Sequence, residues 1–135
     1  MTEKPVPLEF DWVTARAECS LYRVFKELRE GVTQDVEKRN TCKQPDNPNK
    51  WTVGAASDRA FSVFREENKF HPKFASVDFL LSDKGITVVG SGKNDSKFTA
   101  ITSLNNEGRC IFKVGKAELE QWQVRRMALE AIFFD

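Results

Sequence analysis

The chain has 135 residues, of which 40% are hydrophobic and 30% charged, and its 21 basic and 20 acidic side chains leave a formal net charge of +1. This length suits a single domain over residues 1–135 that can bury a core without metals, and the hydrophobic content excludes wholesale disorder. The balanced charge gives the molecule no field to concentrate nucleic acid or anionic lipid, so we expect a soluble protein with neither as its partner.

The first ten residues, MTEKPVPLEF, contain two prolines and two acids, and we expect an extended segment there. A secretory signal would need an apolar core after basic residues, and no stretch of the chain approaches the length of a membrane helix. The cysteines Cys19, Cys42 and Cys110 are far apart and show neither CxxC nor Cys/His ligand spacing. We therefore expect reduced thiols and a cytoplasmic location, without a disulfide framework or a zinc site.

The next pattern is helical. Apolar residues recur at intervals of three and four along one stripe: Leu21, Phe25, Leu28, Val32 and Val36. This stripe predicts one long N-terminal helix that begins near Asp11, with Asp11 or Thr14 as its cap, and ends near Asn40. Gly31 either bends or breaks the helix or is tolerated on its exposed side. Two prolines then predict a surface connection over residues 41–50.

From residue 51 onward the periodicity changes to two, which is typical of strands. Residues 51–56 and 60–65 predict either two short strands or one bent strand. Four β-branched runs separated by turn residues then predict an antiparallel meander: residues 76–81, 86–89, 98–104 and 109–114.

A last helix is predicted from Ala117 to about Phe133. The sequence therefore predicts an α+β fold with a long N-terminal helix, an antiparallel β-meander of four to five strands, and a C-terminal helix. Because an antiparallel sheet with one apolar face needs cover, we expect the helices to pack on one face of the sheet.

The stretch VGSGKNDSK, residues 89–97, places glycines and a lysine after an apolar run, as a phosphate-binding loop does. That motif needs a glycine five residues before Gly92, but Thr87 stands there. It also needs Ser or Thr after its lysine, where this chain has Asn94. The residues that follow predict a strand, whereas a phosphate loop opens a helix. We interpret the stretch as a turn.

His71 is the only histidine of the chain, which excludes centres built on several histidines. As a general base it would need an acidic partner that only folding could bring close, and the alternative is an exposed histidine in a loop. No other residue pattern suggests catalysis, a metal or a cofactor.

Two further features bear on binding. Trp122 beside Arg125 and Arg126 either binds an anion or a base, or lies on the core face with the arginines at its rim, and the second interpretation is favoured. Phe79 belongs to an aromatic excess that either fills the core or lines a pocket for an apolar ligand. The candidate ligand-binding residues are His71, Phe79, Trp122 and Arg125.

From this pattern we expect a non-enzymatic intracellular domain that binds a protein partner or a small apolar ligand, with a homodimer as one option. One alternative is a small enzyme that uses His71 with an acidic partner. Another is a weak binder of single-stranded nucleic acid that uses sheet aromatics and four basic residues: Arg109, Lys113, Arg125 and Arg126.

Overall fold

The structure is a computed structural model that describes residues 9–66, 74–91 and 97–134. Within these ranges it contains three helices and seven strands. The helices are α1 (Trp12–Glu18), α2 (Leu21–Cys42) and α3 (Gln121–Phe134). The strands are β1 (Lys50–Ser57), β2 (Ala60–Glu66), β3 (Phe74–Ser82), β4 (Gly85–Ser91), β5 (Lys97–Leu104), β6 (Cys110–Val114) and β7 (Ala117–Leu119). None of the helices in these ranges is long and apolar enough to cross a membrane.

The strands form one antiparallel sheet in which each strand pairs with its neighbours in sequence, from β1 at one edge to β7 at the other. This confirms the predicted α+β class and the meander. The expected four to five strands are too few for the described residues, which contain seven. β1 and β2 are separate strands of one hairpin. Gly115, at a positive φ of 60°, makes the tight turn into β7, where the sequence predicted helix.

The predicted N-terminal helix is two helices, because the chain leaves the helical conformation at Cys19 and Ser20. Asp11 caps α1 as predicted, since its carboxylate accepts hydrogen bonds from the Thr14 N–H at 3.1 Å and the Thr14 hydroxyl at 2.7 Å. The break follows from a distant contact. The hydroxyl of Thr102 on β5 donates to the Cys19 carbonyl at 2.8 Å, so this oxygen is held by the sheet.

Cys19 and Cys110 form a disulfide with a Cα–Cα distance of 5.5 Å across a sequence separation of 91 residues. The expectation of reduced thiols was therefore wrong for these two cysteines. Cys110 is exposed, whereas Cys19 is fully buried. Of the three cysteines, all within the described part of the chain, Cys42 is the free thiol, and it is exposed.

The core lies between one face of the sheet and the two longer helices. The Phe61 and Phe79 rings stack at 4.5 Å between centroids, and Phe25 of α2 packs on Phe61 at 5.2 Å. Each buried aromatic side chain contributes roughly 1.5–3 kcal/mol through removal of apolar surface from water. α2 buries four residues of the predicted stripe and Val24 in addition, whereas Leu21 is only partly buried. The four are Phe25, Leu28, Val32 and Val36.

Candidate functional site: the groove between α2 and α3

A groove of about 440 Å³ lies between the second half of α2 and α3. We call it the α2–α3 groove. Its volume falls within the usual range of ligand sites, roughly 300–1,000 Å³. Residues from Asp35 to Cys42 form its α2 side, and residues from Trp122 to Phe134 form its α3 side.

The two helices that form the groove run parallel. Arg125 Nε donates to Asp35 Oδ2 at 2.7 Å, and one turn farther along α2 Arg39 Nε donates to the Phe133 carbonyl at 2.7 Å. One turn earlier, a Cβ placed on Gly31 would come within 2.7 Å of Arg125 Nη1. Gly31 therefore allows α3 to approach α2, and of the two alternatives considered for this glycine the break does not occur, because α2 continues through it.

The C-terminal end of α3 is anchored by side chains from three other elements. The last carbonyls of a helix have no partner within the helix and need donors from elsewhere. Trp51 Nε1 on β1 and Arg65 Nη1 on β2 donate to the Ile132 carbonyl at 2.8 and 3.1 Å, and Arg39 on α2 donates to Phe133. Cations at this end also interact favourably with the helix dipole. This end of the groove is therefore fixed in place.

Arg39 also stacks between two aromatic rings. Its guanidinium carbon lies 4.3 Å from the centroid of Trp51 and 4.6 Å from that of Phe134. Cation–π contacts of this kind contribute about 0.5–1 kcal/mol each at exposed sites. They hold the Phe134 ring at the end of the groove although the residue is 70% exposed.

The groove has an apolar floor and exposed aromatic ends. Leu129 and Phe133 are buried, whereas Trp122 is 50% and Phe134 is 70% exposed. These two aromatic residues are twelve positions apart on α3, which corresponds to about 18 Å along a helix. The groove therefore offers an apolar surface of about three helical turns, with an aromatic side chain at each end.

Trp122 also borders a second cavity of about 350 Å³, to which Leu119 and Met127 contribute. Its indole Nε1 donates to Glu120 Oε2 at 2.9 Å, which fixes the ring at the surface. The interpretation that placed Trp122 on the core face was wrong, because the residue is 50% exposed. The helix begins at Gln121, and its core face is formed by Val124, Ala128 and the buried residues that follow them. Trp122 stands between two concave surfaces.

The charges that line the groove are unequal. Four cations, Lys38, Arg39, Arg125 and Arg126, face two carboxylates, those of Asp35 and Glu130. The Arg125–Asp35 and Arg126–Glu130 pairs are each closed at 2.7 Å. The other two cations have no carboxylate partner among the described residues. Among the described residues, the lining of the groove therefore has an excess of two positive charges.

The candidate residues inferred from the sequence fall in different places. Trp122 and Arg125 line the groove. Phe79 is fully buried in the core against Phe61, and it contributes no surface. His71 lies outside the described residues, so its enzymatic role stays a prediction.

The sequence pattern missed Lys38, Arg39 and Phe134. Nothing in the local sequence distinguishes Arg39 from the other charged residues of α2, and its role arises only when β1 and α3 meet it. The two neighbouring phenylalanines also differ in the structure, since Phe133 is buried and Phe134 is exposed.

The loop considered as a nucleotide site and the basic residues considered for nucleic-acid binding have other roles in this fold. The interpretation of VGSGKNDSK as a turn agrees with a strand, β5, that starts at Lys97 where a phosphate loop would open a helix. Residues 92–96 lie outside the described part of the chain. Arg109 pairs with Glu120 at 3.0 Å, and Arg125 and Arg126 have the partners given above.

In the described ranges, no group of three or more His, Cys, Asp or Glu side chains is placed to hold a metal ion.

Comparison of the chain with protein-family models, curated proteins and solved structures found no match.

Proposed function

We propose that this protein is a non-enzymatic interaction domain that binds a helical segment of a partner protein in the α2–α3 groove. The observation that carries the proposal is the pair of exposed aromatic side chains, Trp122 and Phe134, at the two ends of an apolar groove. Large exposed apolar surfaces on a folded domain commonly mark binding sites.

The chemistry of the groove supports a protein partner. Trp, Phe, Met and Arg are the residue types enriched in protein interfaces, and Trp and Arg dominate their binding energy. A groove of about three turns suits an amphipathic helix, whose apolar side chains at positions i, i+4 and i+7 or i+8 would lie along the floor. The anchored end of α3 presents this surface with little disorder to lose on binding.

A small apolar ligand in the same groove is the second candidate, and it rests on the groove volume of about 440 Å³. The enzyme that would use His71 and the weak single-strand nucleic-acid binder remain alternatives. The second of these is disfavoured by the ion pairs that already engage Arg109, Arg125 and Arg126.

A cytoplasmic location was expected from reduced thiols and from an N-terminus without a signal pattern, and the first of these grounds is lost. The Cys19–Cys110 disulfide favours an oxidising compartment instead, because structural disulfides are rare in the cytosol. The proposed groove chemistry works in either compartment, because the free thiol of Cys42 is not required for binding.

The test is selection of helix-forming peptides of about four turns from a displayed library on the oxidised domain. Binding of each selected peptide is then measured to the wild type and to Trp122→Ala. We expect the substitution to weaken binding roughly tenfold or more, because an aromatic anchor at an interface typically supplies a large share of the affinity.

Trp12→Ala is the matched control, since Trp12 on α1 is a tryptophan of similar exposure, 64%, that does not line the groove. Selected peptides should bind this variant at least as tightly as the wild type. If no peptide is selected, or if Trp122→Ala binds them as well as the wild type does, the proposed function is refuted.

A further inference from the structure

A second exposed apolar surface lies at the other end of the chain. α1, which is described in full, has no buried residue. Phe10, Trp12 and Val13 are 56%, 64% and 60% exposed. Three large apolar residues exposed within four positions of one segment form a surface of the kind that commonly marks an interaction site.

The segment that carries this cluster is acidic. Residues 9–18 contain three carboxylates, those of Glu9, Asp11 and Glu18, and one guanidinium, that of Arg16, so its net charge is −2. The α2–α3 groove has the opposite excess of two positive charges. Opposite charges across an interface guide encounter and fix orientation.

The α1 segment is also held in place before any binding event. Asp11 caps the helix, the Cys19 carbonyl accepts from Thr102, and the disulfide to Cys110 ties the end of α1 to β6. A preformed helix loses little conformational entropy when it docks, which favours association. The Phe10 ring lies against Gly108, where an added Cβ would clash with it. The bonds that hold α1 use polar groups and sulfur, so Trp12 and Val13 stay exposed.

We infer that the α1 segment of one copy of this chain docks into the α2–α3 groove of a second copy. Trp12 would supply the aromatic anchor on the apolar floor between Trp122 and Phe134, and Glu9 and Glu18 would approach Lys38. This inference rests on the proposed function and names the partner as the chain itself.

The contact joins two different surfaces, so it is heterologous. Each copy in a docked pair still has one unused surface, the groove on one copy and α1 on the other. Heterologous contacts produce rings when the rotation closes and open chains when it does not. The wild type should therefore form dimers and larger species as its concentration rises.

Sedimentation velocity over a concentration series tests the inference. We expect the wild type to sediment increasingly as dimers and larger species, and Trp12→Ala and Trp122→Ala each to stay monomeric. An equimolar mixture of these variants has one intact α1 and one intact groove, so it should form a 1:1 heterodimer that does not grow further. Tyr22→Ala, a change at an aromatic residue of 57% exposure outside the groove, should associate like the wild type.

A charge exchange gives a second readout. Lys38→Glu should weaken self-association several-fold, since a rim ion pair is lost and like charges meet. Adding Glu9→Lys and Glu18→Lys should restore it. Lys97→Glu, on β5 outside the groove, is the matched control and should have little effect.

Three results would overturn the inference: a wild type that is monomeric at all concentrations, association that survives both tryptophan substitutions, or a mixture that forms no heterodimer. A monomeric wild type that still binds the selected peptides through Trp122 would refute self-association and leave the proposed function intact. Failure of both experiments would refute the groove as a protein-binding site.

Discussion

The first and last helices of the described chain are attached to the sheet by different means. α3 buries five residues, Val124, Ala128, Leu129, Ile132 and Phe133. α1, by contrast, buries none of its residues, all of which are described, and is held by a cap, hydrogen bonds and a disulfide. One helix is therefore held by the hydrophobic effect and the other by a covalent bond and polar contacts.

This difference explains why both helices expose aromatic side chains. α3 has more apolar residues than its inner face can bury, so Trp122 and Phe134 remain on the groove side. α1 contributes nothing to the core, so Trp12 and its neighbours remain exposed altogether. The position of α1 should then depend on redox conditions, whereas that of α3 should not.

The largest expected effect comes from removal of the disulfide. Closure of a loop of 91 residues stabilises the folded state by about 4.5 kcal/mol in the chain-entropy model, within a typical range of roughly 2–5 kcal/mol. Urea denaturation of Cys19→Ala/Cys110→Ser should show a loss of free energy of unfolding in that range. Cys42→Ser is the matched control and should be neutral. Equal midpoints for the oxidised and reduced wild type would contradict this role of the bond.

The next effect concerns the packing of α3. Ile132→Ala removes a side chain that is 1% exposed and should lower the free energy of unfolding by about 2–5 kcal/mol, because it leaves a cavity. Trp12→Ala, a larger truncation on exposed α1, should change it by no more than about 0.5 kcal/mol. If the tryptophan variant proved the less stable of the two, α1 would have to be packed in a core.

A smaller effect is expected at the C-terminal end of α3. Arg39→Lys keeps the charge but loses the fixed Nε–H bond to Phe133 and the stacking between Trp51 and Phe134. We expect a loss of about 1–2 kcal/mol in thermal or urea denaturation, since a hydrogen bond to a charged group contributes about this much. Arg126→Lys, at an exposed ion pair, should cost no more than about 0.5 kcal/mol. Equal effects of the two changes would show that Arg39 does not anchor α3.

The smallest effect is expected at the cap of α1. Hydrogen bonds from the side chain and backbone of Thr14 lower the pKa of Asp11 below 3.8. A carboxyl group with a lower pKa in the folded state contributes stability above its unfolded pKa, and this contribution is lost as the pH falls through the folded value. The thermal midpoint of Asp11→Ala should therefore lie below that of the wild type at neutral pH and converge with it in acid.

Asp11→Asn serves as the control for this titration, because asparagine caps a helix without ionising. Its midpoint should stay close to that of the wild type at neutral pH. A deficit of Asp11→Ala that persists unchanged in strong acid would show that the ionised carboxylate is not responsible.

Much of the fold was predictable, because local chemistry determines it. The strands of the meander are separated by turn residues such as those around Gly85 and Gly108, which have positive φ angles of 145° and 79°. β7 was missed because three residues are too few to show a period of two. The break between α1 and α2 was missed because its cause is a bond from Thr102, far away in sequence.

The site was only partly predictable for the same reason. Trp122 and Arg125 were predicted as candidate binding residues because an aromatic residue stands near cations. Whether these side chains face the core or the solvent depends on where α3 begins. Lys38 and Arg39 join them only because α2 and α3 run parallel, which no local pattern specifies. The disulfide was likewise hidden, since no residue near Cys19 or Cys110 indicates that the two meet.

The central claim is that the α2–α3 groove is the binding surface, and the most direct measurement uses Cys42. This thiol lines the groove and is the free one of the three cysteines. Its alkylation rate would be measured with and without a saturating peptide selected on the domain. The account predicts that bound peptide slows alkylation several-fold in the wild type. An unchanged rate at full saturation would place the peptide elsewhere and contradict the account.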